Sequence, residues 1–137
     1  MIGIIVGTHG MFSEEIVKSA EMIFGKQENI ECVTFKPGEG TENLIEKYNR
    51  ALEKLDCSDG ILFAVDLFGG SPFNAASIIA MKKENVEIVT GVNLPMLLEI
   101  FGSKDFMSIS ELAKHAENSG KDAVKKLEKL EIEEEEL

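Results

Sequence analysis

The run from Ile61 to Val65 holds no polar residue, and the loop Gly69-Gly70-Ser71-Pro72 follows it closely. A strand that is apolar throughout must be covered on both faces, which places it inside a parallel sheet. The loop then starts a helix, with Ser71 as N-cap and Pro72 as the first helical residue. The same rhythm recurs along the chain. Ile2 to Val6 is a β-branched run ended by Gly7. Behind Ser13, Glu14 and Glu15, the residues Ile16, Val17, Ala20, Ile23 and Phe24 recur at helical spacing. Ile30 to Phe35 reads as a second strand closed by Pro37-Gly38. Thr41 then caps a helix that buries Leu44, Ile45, Tyr48, Leu52 and Leu55. The helix after Ser71 passes through Ala75, Ala76, Ile79 and Met81. Val86 to Thr90 is a fourth strand, and Pro95 opens a short helix with Leu97, Leu98 and Phe101. The capping box Ser108-x-x-Glu111 begins a last helix, with Leu112, Ala113, Ala116, Ala123, Val124 and Leu127 facing inward. This alternation predicts a doubly wound α/β domain: a parallel four-stranded sheet with right-handed crossovers and helices on both faces.

Composition narrows the function. The 137 residues suit one domain with a real core, and 44% apolar content excludes wholesale disorder. The 14 basic residues against 25 acidic ones leave a net charge of −11. Five of the acids crowd into Glu131 and Glu133 to Glu136, and removing them leaves −6 for the rest. So acidic a surface repels nucleic-acid phosphates and anionic membranes, and favours a partner with a basic docking face. No apolar run approaches the ~20 residues of a membrane span. The opening MIGIIVG lacks a basic leader and reads as a buried strand rather than a signal peptide. Cys32 and Cys57 are too few and too isolated for a disulfide framework, and are expected as free thiols in a reducing cytoplasm.

In open α/β sheets, ligands bind beyond the carboxyl ends of the strands, where the strand order reverses. With the flavodoxin-like order 2-1-3-4, strands one and three are neighbours. The loop Gly7-Thr8-His9-Gly10 then faces Asp66-Leu67-Phe68-Gly69-Gly70-Ser71-Pro72, and His9 meets Asp66. An imidazole serves as nucleophile, base or ligand near neutral pH. A glycine-rich helix start offers free N–H groups and a favourable dipole to an anion. Together these parts spell a phosphohistidine site: His9 and Asp66 as the reacting pair, with Gly69, Gly70 and Ser71 as the phosphate cradle. Elsewhere the signals are weaker. His115, four residues after Glu111, reads as half of a solvated pair. Two histidines without neighbouring cysteines are too few ligands for a metal site, and no metal or other cofactor is expected. Gly38-Glu39-Gly40 lacks the third glycine of a nucleotide fingerprint and reads as a turn, and there is no Walker lysine.

The segments GTHG, FKPGEGTENLIEKYN, VDLFGGSPFNAA and GVNLPMLLE, in that order, closely resemble the IIA domain of the mannose-type sugar phosphotransferase system. The likeness runs from Met1 to about Leu127. It implies that His9 accepts a phosphoryl group from the phosphocarrier HPr and passes it to a histidine of a IIB subunit. It also implies that Asp66 orients His9 and that Ser71 caps the following helix. Leu67 and Phe68 stand where the family carries Thr and Trp, keeping an aromatic ring but losing a hydroxyl. A free-standing cytoplasmic subunit is implied, without direct membrane insertion. The early histidine and the fold are shared with the phosphocarrier subunit of dihydroxyacetone kinase, against which GVNLPMLLE argues. A phosphohistidine module that only switches a partner is the other alternative. Residues 1–132 are expected to form the domain and 133–137 an acidic tail. Beyond Leu127 the pattern Leu130-Glu131-Ile132-Glu133 alternates with period two, as a half-buried strand does. The family implies a homodimer that exchanges this antiparallel edge strand.

Overall fold

A computed structural model describes residues 1–129. Four strands alternate with five helices: β1 (Gly3–His9), α1 (Phe12–Phe24), β2 (Ile30–Phe35), α2 (Thr41–Lys54), β3 (Ile61–Val65), α3 (Ser71–Ala80), β4 (Val86–Val89), α4 (Leu94–Ser103) and α5 (Ile109–Asp122). The strands are parallel and ordered β2-β1-β3-β4, as the sequence predicts. Side chains of a strand alternate between faces, so each strand feeds two cores. Ile4, Val6, Leu62 and Ala64 pack under α1, α4 and α5. Ile5, Phe63 and Val65 pack under α2 and α3 on the opposite face. The central strand β3 is buried at every position.

The local signals shift at several places. β1 runs on to His9 instead of ending at Gly7, because its pairing with β2 continues to His9 opposite Phe35. Gly70, extended at φ −80° and ψ 174°, is the N-cap of α3, so Ser71 is the first helical residue. Gly40 likewise precedes α2 in place of Thr41, and its N–H donates to Oδ1 of Asn43 at 2.8 Å. In α1 the apolar spacing overruns the core: Ile23 is exposed, while Phe24 rests edge-on against Phe101 of α4 with ring centroids 6.0 Å apart.

The end of α5 is the largest departure. Gly120 lies so close to Met96 that a Cβ atom there would stand 2.8 Å from the methionine methyl. That is the last core contact of the helix, which stops at Asp122. Val124 and Leu127, expected to face inward, are exposed, and residues 124–128 have no regular secondary structure. The remainder of the expected terminal strand, from Leu130 to Ile132, and the acidic tail lie outside the described residues.

Candidate active site

The register of β1 against β3 pairs Gly7 with Val65. β3 ends there while β1 continues along β2 to His9, so Asp66, the residue after Val65, comes to lie beside the last residues of β1. Asp66 uses one oxygen, Oδ2, to accept two hydrogen bonds from His9: the backbone N–H and ring Nδ1, each at 2.9 Å. Its other oxygen accepts the Leu67 N–H at 3.0 Å. A carboxylate oxygen only accepts, so Nδ1 carries the proton and Nε2 presents its lone pair. The ring is 44% exposed whereas the Asp66 side chain is 14% exposed. The imidazole thus faces solvent while the carboxylate that holds it is sheltered.

The rest of the histidine loop is tied down from below. The buried Thr8 hydroxyl accepts the Ser13 N–H at 2.7 Å and lies 3.1 Å from the His9 carbonyl, to which it donates. Ser13 Oγ in turn donates to the Val33 carbonyl at 2.9 Å. Phe35, at the end of β2, meets the imidazole edge to face with centroids 5.7 Å apart. These contacts fix where the ring stands at the strand end.

The start of α3 lies against the same ring. A Cβ atom on Gly70 would stand 2.9 Å from His9 Cε1 and 3.5 Å from Nε2, so only glycine lets the imidazole rest there. Gly69 before it adopts φ +88°, a left-handed conformation that favours glycine. The N–H groups of Gly70, Ser71 and Phe73 have no protein acceptor among the described residues. Pro72 has no N–H to offer. Nε2 therefore stands beside backbone N–H donors at the positive end of a helix, a setting suited to a phosphoryl group.

All five residues singled out by the sequence, His9, Asp66, Gly69, Gly70 and Ser71, come together here. Phe35 and Tyr48 also belong to this neighbourhood, though periodicity marks them only as strand and core residues. The second histidine does not join them. His115 pairs through Nε2 with Oε1 of Glu99 on α4 at 2.9 Å, not with Glu111. Glu111 is committed to its capping box with Ser108. No group of three or more potential metal ligands occurs among the described residues.

A doubly wound α/β domain with a carboxylate-held imidazole facing a helix N-terminus at its switch point is a recognisable class of protein. Residues 3–117 match the family described as PTS system fructose IIA component, the mannose-type IIA family of the sugar phosphotransferase system, and the chain belongs to it. It is 49% identical over 133 residues to the mannose-specific EIIAB component of Escherichia coli strain K12, covering 96% of this chain and 41% of that protein. It therefore spans about two fifths of the length of that relative. It is 38% identical over 112 residues to the fructose-specific EIIA component of Bacillus subtilis strain 168, covering 82% of this chain and 77% of that protein. Its fold matches the crystal structure of the EIIA component from Streptococcus agalactiae with a TM-score of 0.84 and 28% identity, covering 92% and 97% of the two chains. None of the helices among the described residues is long and apolar enough to cross a membrane.

Proposed function

We propose that this IIA component carries a phosphoryl group on His9 Nε2, taking it from phospho-HPr and giving it to a histidine of a IIB partner in the cytoplasm. The observation that supports this reading is the placement of one ring between two fixtures: Nδ1 on Asp66 and Nε2 beside the free N–H groups that follow Gly70. The Nε2 lone pair attacks phosphorus in line as the N–P bond of the donor breaks, and the donor imidazole leaves with that electron pair. Because Nδ1 keeps its proton, the phosphorylated ring is cationic, and the Asp66 carboxylate balances it. The N–H groups of Gly70 and Ser71 hold the phosphoryl oxygens. Catalysis is then positioning and charge stabilisation. Donor and acceptor are both phosphoimidazoles, so the exchange is close to isoenergetic and needs no metal.

The exposed apolar residues Met11 and Phe12, just after His9, and Leu67 and Phe68, just after Asp66, suit a protein partner rather than a sugar. Purified HPr and IIB with radiolabelled phosphoenolpyruvate test the reading. Label should pass through the wild-type chain and through His115→Ala, and should stop at His9→Ala. Label retained on His9→Ala would sink the assignment.

The domain of residues 1–132 is further proposed to act as a homodimer. β4 is a four-residue edge strand paired only with β3 among the described residues. Beside it lies a groove of about 630 Å³ whose lining includes Phe73, Ile88, Val89, Met96 and Val124. The proposed occupant of that edge is an antiparallel strand from about residues 127–132 of a second copy. The family resemblance supplies the exchange, and the open edge supports it.

A further inference from the structure

Tyr48 belongs to α2, yet its hydroxyl reaches the base of the phosphoryl cradle. The side chain is fully buried and stands edge to face against Phe63 of β3, with centroids 5.0 Å apart. Its Oη donates to the Pro72 carbonyl in the first turn of α3 at 2.9 Å. On the other side it presses on β1: a Cβ atom on Gly7 would overlap the hydroxyl and stand 2.9 Å from Cε1 and Cζ. The phenol therefore spans from a point two residues before His9 to a point two residues after Gly70. No other side-chain hydroxyl among the described residues joins the two halves of the site in this way.

We infer that Tyr48 is a positioning residue for phosphoryl transfer, its hydroxyl wedged between Gly7 and the Pro72 carbonyl so that the anion-binding turn of α3 is held in register with the His9 ring. The inference rests on the phosphotransfer reading above. Burial, and after it the negative charge of Asp66, raise the phenol pKa, so the group is a hydrogen-bond donor throughout the working range. Phenylalanine at this position keeps the ring, its volume and the contact with Phe63. What it removes is the tie to Pro72. Without that tie the first turn of α3 is fixed by packing alone, and Gly70, Ser71 and Phe73 no longer hold one distance from Nε2. Transfer is sensitive to such displacements, since misplacement of about 1 Å can cost on the order of a hundredfold in rate. The docking surface is untouched, so the loss falls on the chemical step rather than on partner binding.

The test is Tyr48→Phe beside Leu112→Ala, a core truncation on the opposite face of the sheet, both measured at a temperature where each is folded. Single-turnover transfer from phospho-HPr should slow about tenfold in Tyr48→Phe with an unchanged half-saturating HPr concentration. Leu112→Ala, although less stable, should transfer at the wild-type rate. In the unphosphorylated proteins, ¹⁵N spectra should show the His9 ring and the Gly70, Ser71 and Phe73 amides displaced in Tyr48→Phe and unmoved in Leu112→Ala. A wild-type rate in Tyr48→Phe overturns the positioning role whatever its spectrum shows. An equal slowing in both variants also overturns it, by reducing the effect to stability. Absence of label on the wild-type chain would instead overturn the phosphotransfer reading, so the two failures are told apart by which protein stays silent.

Discussion

Gly70 lies so near His9 that a single added carbon on it would stand 2.9 Å from the ring atom Cε1. The backbone angles there, φ −80° and ψ 174°, are open to any residue. Gly70→Ala therefore leaves the fold intact and pushes the exposed ring aside, away from the line joining Asp66 to the cradle. Transfer from phospho-HPr should slow by about ten- to a hundredfold, with a melting temperature within a degree or two of wild type as an order-of-magnitude expectation for a strain-free backbone site. Rapid-quench kinetics and a thermal melt on the same preparation check both parts.

Asp66 differs from Gly70 in acting through charge. Asp66→Asn can still accept the Nδ1–H through its amide oxygen, so the ring keeps its orientation. The variant lacks the negative charge that balances a phosphorylated, Nδ1-protonated imidazole. Transfer should fall by on the order of a hundredfold, far beyond any change in unfolding midpoint. Unaltered kinetics would reduce Asp66 to a loop-capping role.

The pairing of His9 with Asp66 could be read from the sequence because it depends on few things: strand three is apolar throughout, hence central, and its end falls beside the last residues of strand one. The helix start beside it was legible for the same reason, since glycines and a proline carry their conformation with them, although Gly70 rather than Ser71 is the N-cap. Partners chosen by helix packing were not. His115 has Glu111 one turn away in sequence, but the packing of α5 on α4 sets Glu99 Oε1 2.9 Å from its Nε2, and no periodicity records that contact. Tyr48 reads as one more apolar position of α2, since spacing shows which face a ring occupies and not where its hydroxyl ends. Val124 and Leu127 continue the helical spacing on paper, but the core ends at the contact of Gly120 with Met96.

The capping box of α5 makes a pH-dependent prediction. Hydrogen bonds from the Ser108 backbone N–H, and after them the Ser108 side chain, hold Glu111 below the ordinary glutamate value of 4.5. A carboxyl group depressed in the folded state adds stability that is fully present above its unfolded pKa. That stability is lost as pH falls through the folded value. Glu111→Gln keeps an accepting oxygen but no charge at the helix N-terminus. Its melting temperature should lie below wild type at pH 7, and the gap should close on titration to pH 3. A gap that stays constant across that range would show that the charge contributes nothing.

Association provides the last expectation. Among the described residues β4 pairs on one side only, and open edges invite uncontrolled pairing unless they are covered. The helix that precedes the C-terminal segment stops at Asp122, Val124 lines the same groove as Phe73 and Ile88, and both Val124 and Leu127 are exposed. The run Leu130-Glu131-Ile132-Glu133 has the alternation of a half-buried strand. Exchange of such a segment between identical chains is a low-cost route to a two-fold dimer. The acids from Glu133 to Glu136 follow the alternating segment and add charge without apolar surface, so they contribute little to that contact. Truncation after Lys126 should give monomers or aggregates in light scattering, because the edge is left bare. Truncation after Glu133 should leave the dimer intact, because Leu130 and Ile132 are retained. A well-behaved dimer from the shorter chain would refute strand exchange as the basis of association.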